Sequence, residues 1–214
     1  MNPSKTLLLS LIPALALATG AARASEYTVT LQDTANASIY PSTSAFAGFY
    51  TLQVTDNTSN ATQIILAMCD DYLTGISIGS TWQANLFSKA DIDSNTLKEG
   101  DFVKFPPPAP KYNQAGYLFN IALTASLLDQ RDINAAIWNL MGAGPAMNAN
   151  SQSYYNDAIA NGSSFDYANV MQVMTSHTPN VSQEFLIGVV PVPAAAWLFG
   201  SALGVLQLAR RRAR

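Results

Sequence analysis

Cys69 is the only thiol of this 214-residue chain and His177 its only imidazole, so thiolate chemistry would have to use the first and neutral-pH base chemistry the second. Cys69 stands in Met68-Cys69-Asp70-Asp71-Tyr72, while His177 stands in Ser176-His177-Thr178-Pro179, a turn sequence with no nucleophile motif around it. The two do not read as a protease pair. Asp91-Ile92-Asp93-Ser94-Asn95 opens with the D-x-D-x-N spacing that sets oxygens around calcium. Its sixth position is Thr96, where the sharp turn needs Gly, and its twelfth is Phe102, where a bidentate Glu belongs, so these acids are expected on the surface without a metal. No Gly-rich phosphate loop, paired-His zinc spacing or G-x-S-x-G occurs in the sequence. The expectation is a protein with no catalytic residue, no metal and no cofactor.

The elements that carry these residues are expected to be mixed. Tyr27, Val29 and Leu31 alternate with polar residues over 26–32, and Tyr50, Leu52 and Val54 do the same over 49–55. After the turn 56–60, residues 61–69 are apolar on both faces and end at Cys69, so that strand is expected to be central. These three read as an antiparallel β-meander. From 73 to 111, Gly and Pro punctuate the chain, and 104–111 (K-F-P-P-P-A-P-K) is expected to be an extended polyproline connector. The period then becomes helical: 114–128, 133–141 capped by Asp132, and 151–160. Strands at 169–174 and 183–189 complete a C-terminal β-hairpin. The fold class expected is α+β: an antiparallel β-meander, central helices and a C-terminal β-hairpin, plus one C-terminal transmembrane helix.

The last of these rests on the ends of the chain. After Lys5 an apolar run, 6–18, leads to Ala22-Arg23-Ala24, the pattern of a secretory signal peptide with an A-x-A cleavage site and a mature start at Ser25. At the other end, 193–209 carries no charge and is followed by Arg210, Arg211, Arg212 and Arg214, the positive flank that stays cytoplasmic. As a helix it would be about 25 Å long, slightly short of the hydrocarbon core. Excluding both ends leaves one domain with five basic residues (Lys89, Lys98, Lys104, Lys111, Arg131) against 14 acids, about −9 in all, which argues against nucleic acid as a partner. A single cysteine also excludes an internal disulfide, so a hydrophobic core must hold the domain.

The string Val190-Pro191-Val192-Pro193-Ala194-Ala195-Ala196-Trp197-Leu198-Phe199-Gly200-Ser201-Ala202-Leu203, closed by arginines, resembles the PEP-CTERM sorting signal. It departs from that family at Val192, where the family has Glu, and at Gln207 within the apolar stretch. The resemblance implies a precursor in the inner membrane of a Gram-negative bacterium that makes exopolysaccharide. Signal peptidase and an exosortase would process it for the cell surface or extracellular matrix. The division expected is 1–24 signal peptide, 25–188 ectodomain, 189–214 sorting signal, with Pro191, Val192, Pro193, Ala194, Trp197, Arg210, Arg211 and Arg212 as the sorting residues. A plain, unprocessed stop-transfer anchor is the simpler alternative for the tail.

Cys69 and Asp71, with Gly79-Ser80-Thr81-Trp82 and Ala135-Ala136-Ile137-Trp138, resemble more distantly the thioester domains of surface adhesins. There a Gln side chain bonds to the Cys; here that position is Asn134, one methylene shorter. The resemblance implies a thioester-like site of Cys69, Asp71, Asn134 and Trp138. The expected function is non-enzymatic adhesion or biofilm and exopolysaccharide association. The alternatives are a covalent thioester adhesin using Cys69 and a matrix-polymer hydrolase.

Overall fold

A computed structural model describes residues 26–41, 43–94, 103, 110–178 and 180–189. Strands β1 (Glu26–Asp33), β4 (Phe49–Asp56) and β5 (Thr62–Cys69) pair antiparallel in that spatial order, and a short hairpin, β2 (Ser38–Ile39) with β3 (Phe46–Ala47), lies between the first two in the chain. The meander does not stay open. Strand β6 (Thr81–Phe87) pairs with β1, and β7 (Met171–Ser176) and β8 (Phe185–Gly188) bridge β6 to β5. The result is a closed six-stranded barrel in the order β1-β4-β5-β8-β7-β6. This corrects the expected architecture of meander plus separate hairpin: β6, unread in the sequence, joins the two and closure removes the sheet's edges. The proposed C-terminal membrane helix falls outside the described residues, and among those described no helix is long and apolar enough to cross a membrane.

Strand alternation explains why β5 is apolar on both faces. Ile65, Ala67 and Cys69 point into the barrel with Val29, Leu31, Leu52, Val54, Trp82 and Phe185. Met68 points out, with Phe49, Phe87, Val173 and Leu186, into a second core under the helices. Ile64 and Leu66 also point out but lie beyond that cover, and both are exposed.

Four helices form that cover: α1 (Lys89–Asp93), α2 (Pro110–Ala122), α3 (Leu127–Leu140) and α4 (Ala149–Asn161). Pro110 opens α2, where its fixed φ suits the first turn, so Pro110 and Lys111 are helical and not part of an extended connector; 104–109 lie outside the described residues. Tyr112, Ala115, Leu118, Phe119 and Ala122 make its buried stripe. Gly116 meets Tyr167, whose Cβ would lie 2.5 Å from any Cβ added there. The expected helix 114–128 is two elements, because the backbone tightens at Thr124 and Ala125 and Ser126 caps α3 by accepting from Asp129 N–H. Asp132 is therefore not a cap. It is buried at the α3–α4 contact, where it accepts from Arg131 (Nη2, 2.9 Å) and from the Asn148 side-chain amide (3.0 Å).

Candidate functional site

Cys69 is the last residue of β5, and its side chain is wholly buried on the barrel side of the strand. Its S–H donates to the Asp71 carbonyl (3.2 Å) and its Sγ accepts the Asp71 N–H (3.3 Å), so the sulfur closes the turn that ends the strand. The Asp71 carboxylate accepts from the N–H groups of Leu73 (3.1 Å) and Thr74 (3.3 Å), an Asx turn that carries the chain away from the barrel. Burial pushes the Cys69 thiol well above its ordinary pKa, and the charge of Asp70 adds to this. The Asp71 N–H and the Trp138 indole oppose the shift without reversing it. By distance and angle, Trp138 Nε1–H makes no hydrogen bond of ordinary geometry within the described residues. A thiol held protonated in this way is a poor nucleophile.

Asn134, on α3, is also fully buried. Its Nδ2 donates to the backbone carbonyl of Cys69 (2.6 Å) and its Oδ1 accepts the backbone N–H of Gly48 (2.9 Å). Both halves of the amide are thus committed to backbone, and the amide is held on the carbonyl of Cys69, not on its sulfur. Gly48 has φ +121°, and a Cβ there would sit 3.1 Å from Ala37 Cα, so the turn between β3 and β4 that presents this N–H needs glycine. Asn134 ties three places together: the end of β5, the start of β4 and the middle of α3.

Beside this clamp lies a cleft of about 600 Å³ between the 70–80 loop, the β2–β3 hairpin and α3. Four aromatic residues line it: Phe46, Tyr50, Tyr72 and Trp138. Tyr72 and Trp138 pack with ring centroids 5.1 Å apart, and Tyr50 donates its O–H to the Phe46 carbonyl. Burial, with a smaller contribution from Cys69, raises the Tyr50 phenol. Thr34, Ser44, Ser77 and Gln183 add polar groups, and among the described residues no Asp, Glu, Lys, Arg or His lines the cleft. The Gln183 Oε1 is enclosed and accepts no hydrogen bond within the described residues. A smaller hollow of about 130 Å³ shares Leu73 with the cleft and is lined by Asp71 and Glu184, the carboxylate of the latter accepting Tyr112 O–H (2.7 Å).

No family model matches the chain, and no curated protein matches it. Among solved structures it is similar to the N-terminal thioester domain of a surface protein from Clostridium perfringens, with 10% identity and a TM-score of 0.43 over 76% of this chain and 98% of that one. A likeness at that level transfers neither chemistry nor partners to this chain.

The structure therefore gathers Cys69, Asp71, Asn134 and Trp138 at one end of the barrel, with the amide turned to backbone. His177 is placed elsewhere: its Nδ1 faces the Asn85 amide on β6 (3.4 Å), and among the described residues no hydrogen bond links it to Cys69. The calcium-like acids lie in and around a helix. Asp91 completes a capping box with Ser88, and Asp93 pairs with Lys89. Among the described residues no group of three or more His, Cys, Asp or Glu is arranged to hold a metal. Ala22, Ala24, Ser25 and the sorting residues Pro191, Val192, Pro193, Ala194, Trp197, Arg210, Arg211 and Arg212 lie outside the described residues. Sequence reasoning missed Gly48, Phe46, Tyr50 and Gln183. A Gly between two aromatic β residues, Phe46-Ala47-Gly48-Phe49-Tyr50, was the only available signal.

Proposed function

We propose that the chain is an exported, non-enzymatic surface or extracellular-matrix protein whose folded body, 25–188, acts by non-covalent adhesion. The observation that carries this reading is the Asn134 amide, hydrogen-bonded on both sides to backbone beside a buried thiol whose pKa is raised. A thioester needs that amide carbon to meet the sulfur, and a thiol nucleophile needs ready ionisation; neither condition fits these contacts. In this proposal signal peptidase cuts after Ala24. An exosortase then acts near Pro191–Pro193, and the body reaches the surface or an exopolysaccharide matrix of a Gram-negative cell.

Intact mass of the purified protein, with and without methylamine, tests the non-covalent reading. The expected result is the mass of the unmodified chain in both samples. A mass short by one ammonia, with methylamine taken up as an amide at the Asn134 side-chain carbonyl and the Cys69 thiol released, would replace this reading with the covalent adhesin. Export is tested separately by the N-terminus of the recovered protein: Ser25 is expected, and a cytosolic chain retaining both Met1 and Arg214 refutes it.

A further inference from the structure

The cleft beside the Asn134 clamp has no assigned role, and its lining is unusual for this chain. The folded body carries a large excess of acid, yet among the described residues no carboxylate, amine, guanidinium or imidazole lines the cleft. An anion would find no counter-charge there and would face the body's own negative field; a cation would find no carboxylate within the cleft. The ligand that fits is neutral.

The aromatic groups narrow it further. Phe46 stands at the rim with 42% of its surface exposed, Tyr72 is half-buried, and Trp138 is almost wholly buried behind it. Such rings offer flat apolar faces to a ligand that is itself apolar on a face. Thr34, Ser44 and Ser77, each with a hydroxyl, line the same cleft. Gln183 supplies the group that distinguishes a hydroxylated ligand from a purely apolar one. The Gln183 side chain lines the cleft, and its amide is not fully paired: its Oε1 accepts nothing from the described residues. An aliphatic ligand would leave that acceptor unsatisfied, whereas a hydroxyl donor satisfies it. A molecule with apolar C–H faces, hydroxyl edges and no charge is a neutral sugar.

We propose that this cleft binds a neutral sugar unit of a glycan chain, with Phe46 and Tyr72 as the packing surface, Trp138 backing Tyr72, and Gln183 as the polar anchor. The inference rests on the non-covalent adhesion reading and gives it a ligand class. The cleft's volume of about 600 Å³ falls in the usual range for small-ligand sites and accommodates more than a single small group.

The test is calorimetric titration of the full-length chain with maltotetraose, cellotetraose and chitotetraose, against tetragalacturonate and a neutral apolar peptide as competitors for the same surface. Saturable binding of at least one neutral tetrasaccharide is expected, weakened by about tenfold or more in Phe46→Ala and in Gln183→Leu. The exposed variant Gln152→Ala is expected to bind as the parent does. Phe46 is exposed and its contact with Tyr50 is through its backbone, so Phe46→Ala retains the fold, which circular dichroism checks. Failure of all three neutral sugars, binding unchanged in both cleft variants, or Phe46-dependent binding of the peptide or the galacturonate instead, each overturns the sugar proposal. Methylamine incorporation separates the two readings. Without it, a negative titration removes the cleft's ligand and leaves non-covalent adhesion standing; with it, the adhesion reading itself falls.

Discussion

Replacing Asn134 with alanine removes one side chain and strands two backbone groups. The Cys69 carbonyl loses its donor at 2.6 Å and the Gly48 N–H loses its acceptor at 2.9 Å, both in fully buried surroundings. Leaving a buried polar group unpaired costs about 1–3 kcal/mol, so the pair together costs about 2–6 kcal/mol, the lower end applying where a water enters the space left by the amide. For a domain of this size about 1 kcal/mol moves Tm by roughly 2–4 °C, so Asn134→Ala should lower Tm by about 6–12 °C at a mid-range loss of about 3 kcal/mol. Asn134→Asp should be no better: it keeps an acceptor for Gly48 but sets an oxygen against the Cys69 carbonyl. The assay is urea and thermal unfolding followed by tryptophan fluorescence, with the exposed Gln152→Ala as a control expected within about 0.5 kcal/mol of the parent. An Asn134→Ala protein that loses less than about 1 kcal/mol would refute the argument that the clamp is what occupies this amide.

Other perturbations follow from the same contacts. Asp132→Ala breaks the buried link from α3 to α4 and should cost about 2–4 kcal/mol in urea unfolding, whereas Ser126→Ala removes only a cap and should cost about 1 kcal/mol. Gly116→Ala drives a methyl group into Tyr167 and should destabilise by about 1–3 kcal/mol, measured by Tm. Cys69 and Tyr50 both have raised folded-state pKa values, while the unfolded thiol and phenol ionise near 9.0 and 10.0. Their contribution is therefore fully present below about pH 8 and is lost as pH rises through 9 to 10 and beyond; urea midpoints across that range should fall, and a level profile would contradict the burial. Iodoacetamide at pH 8 should label Cys69 only as fast as the protein unfolds, read by mass spectrometry against urea concentration.

What the sequence revealed, and what it hid, divides along the range of the interaction. The strands ending at Asp56 and Cys69 were legible because Tyr50, Leu52 and Val54, then Ile65, Ala67 and Cys69, alternate within a few residues. Strand β6 was not, because Thr81-Trp82-Gln83-Ala84-Asn85-Leu86-Phe87 buries Asn85 on the face where a polar residue suggests solvent, and because it follows a Gly-punctuated loop. Barrel closure depends on Val29 meeting Trp82 and Leu86 meeting Met174, registers that no local pattern encodes. The turn at 123–126 was hidden by its own leucines. Leu123, Leu127 and Leu128 continue a helical apolar spacing yet are exposed, so periodicity ran through a break that the Ser126 cap decides. At the site, the residue types of Cys69, Asn134 and Trp138 could be read as a group. The direction of the Asn134 amide could not, because Gly48 and the Cys69 carbonyl are backbone partners and leave no mark of their own in side-chain identities.

Strand β8 has one more consequence. Gln183, on the cleft wall, lies two residues before its first position, and the chain departs from its last position, Gly188, toward the proline-rich tail. A pull between something held in the cleft and something holding the tail would run lengthwise along four residues flanked by β5 on one side and β7 on the other. Loaded in that direction, the cross-strand hydrogen bonds on both flanks share the tension together instead of opening one after another. The shortest strand of the barrel's six is thus placed where mechanical load would be greatest, and its double embrace is what would let it hold.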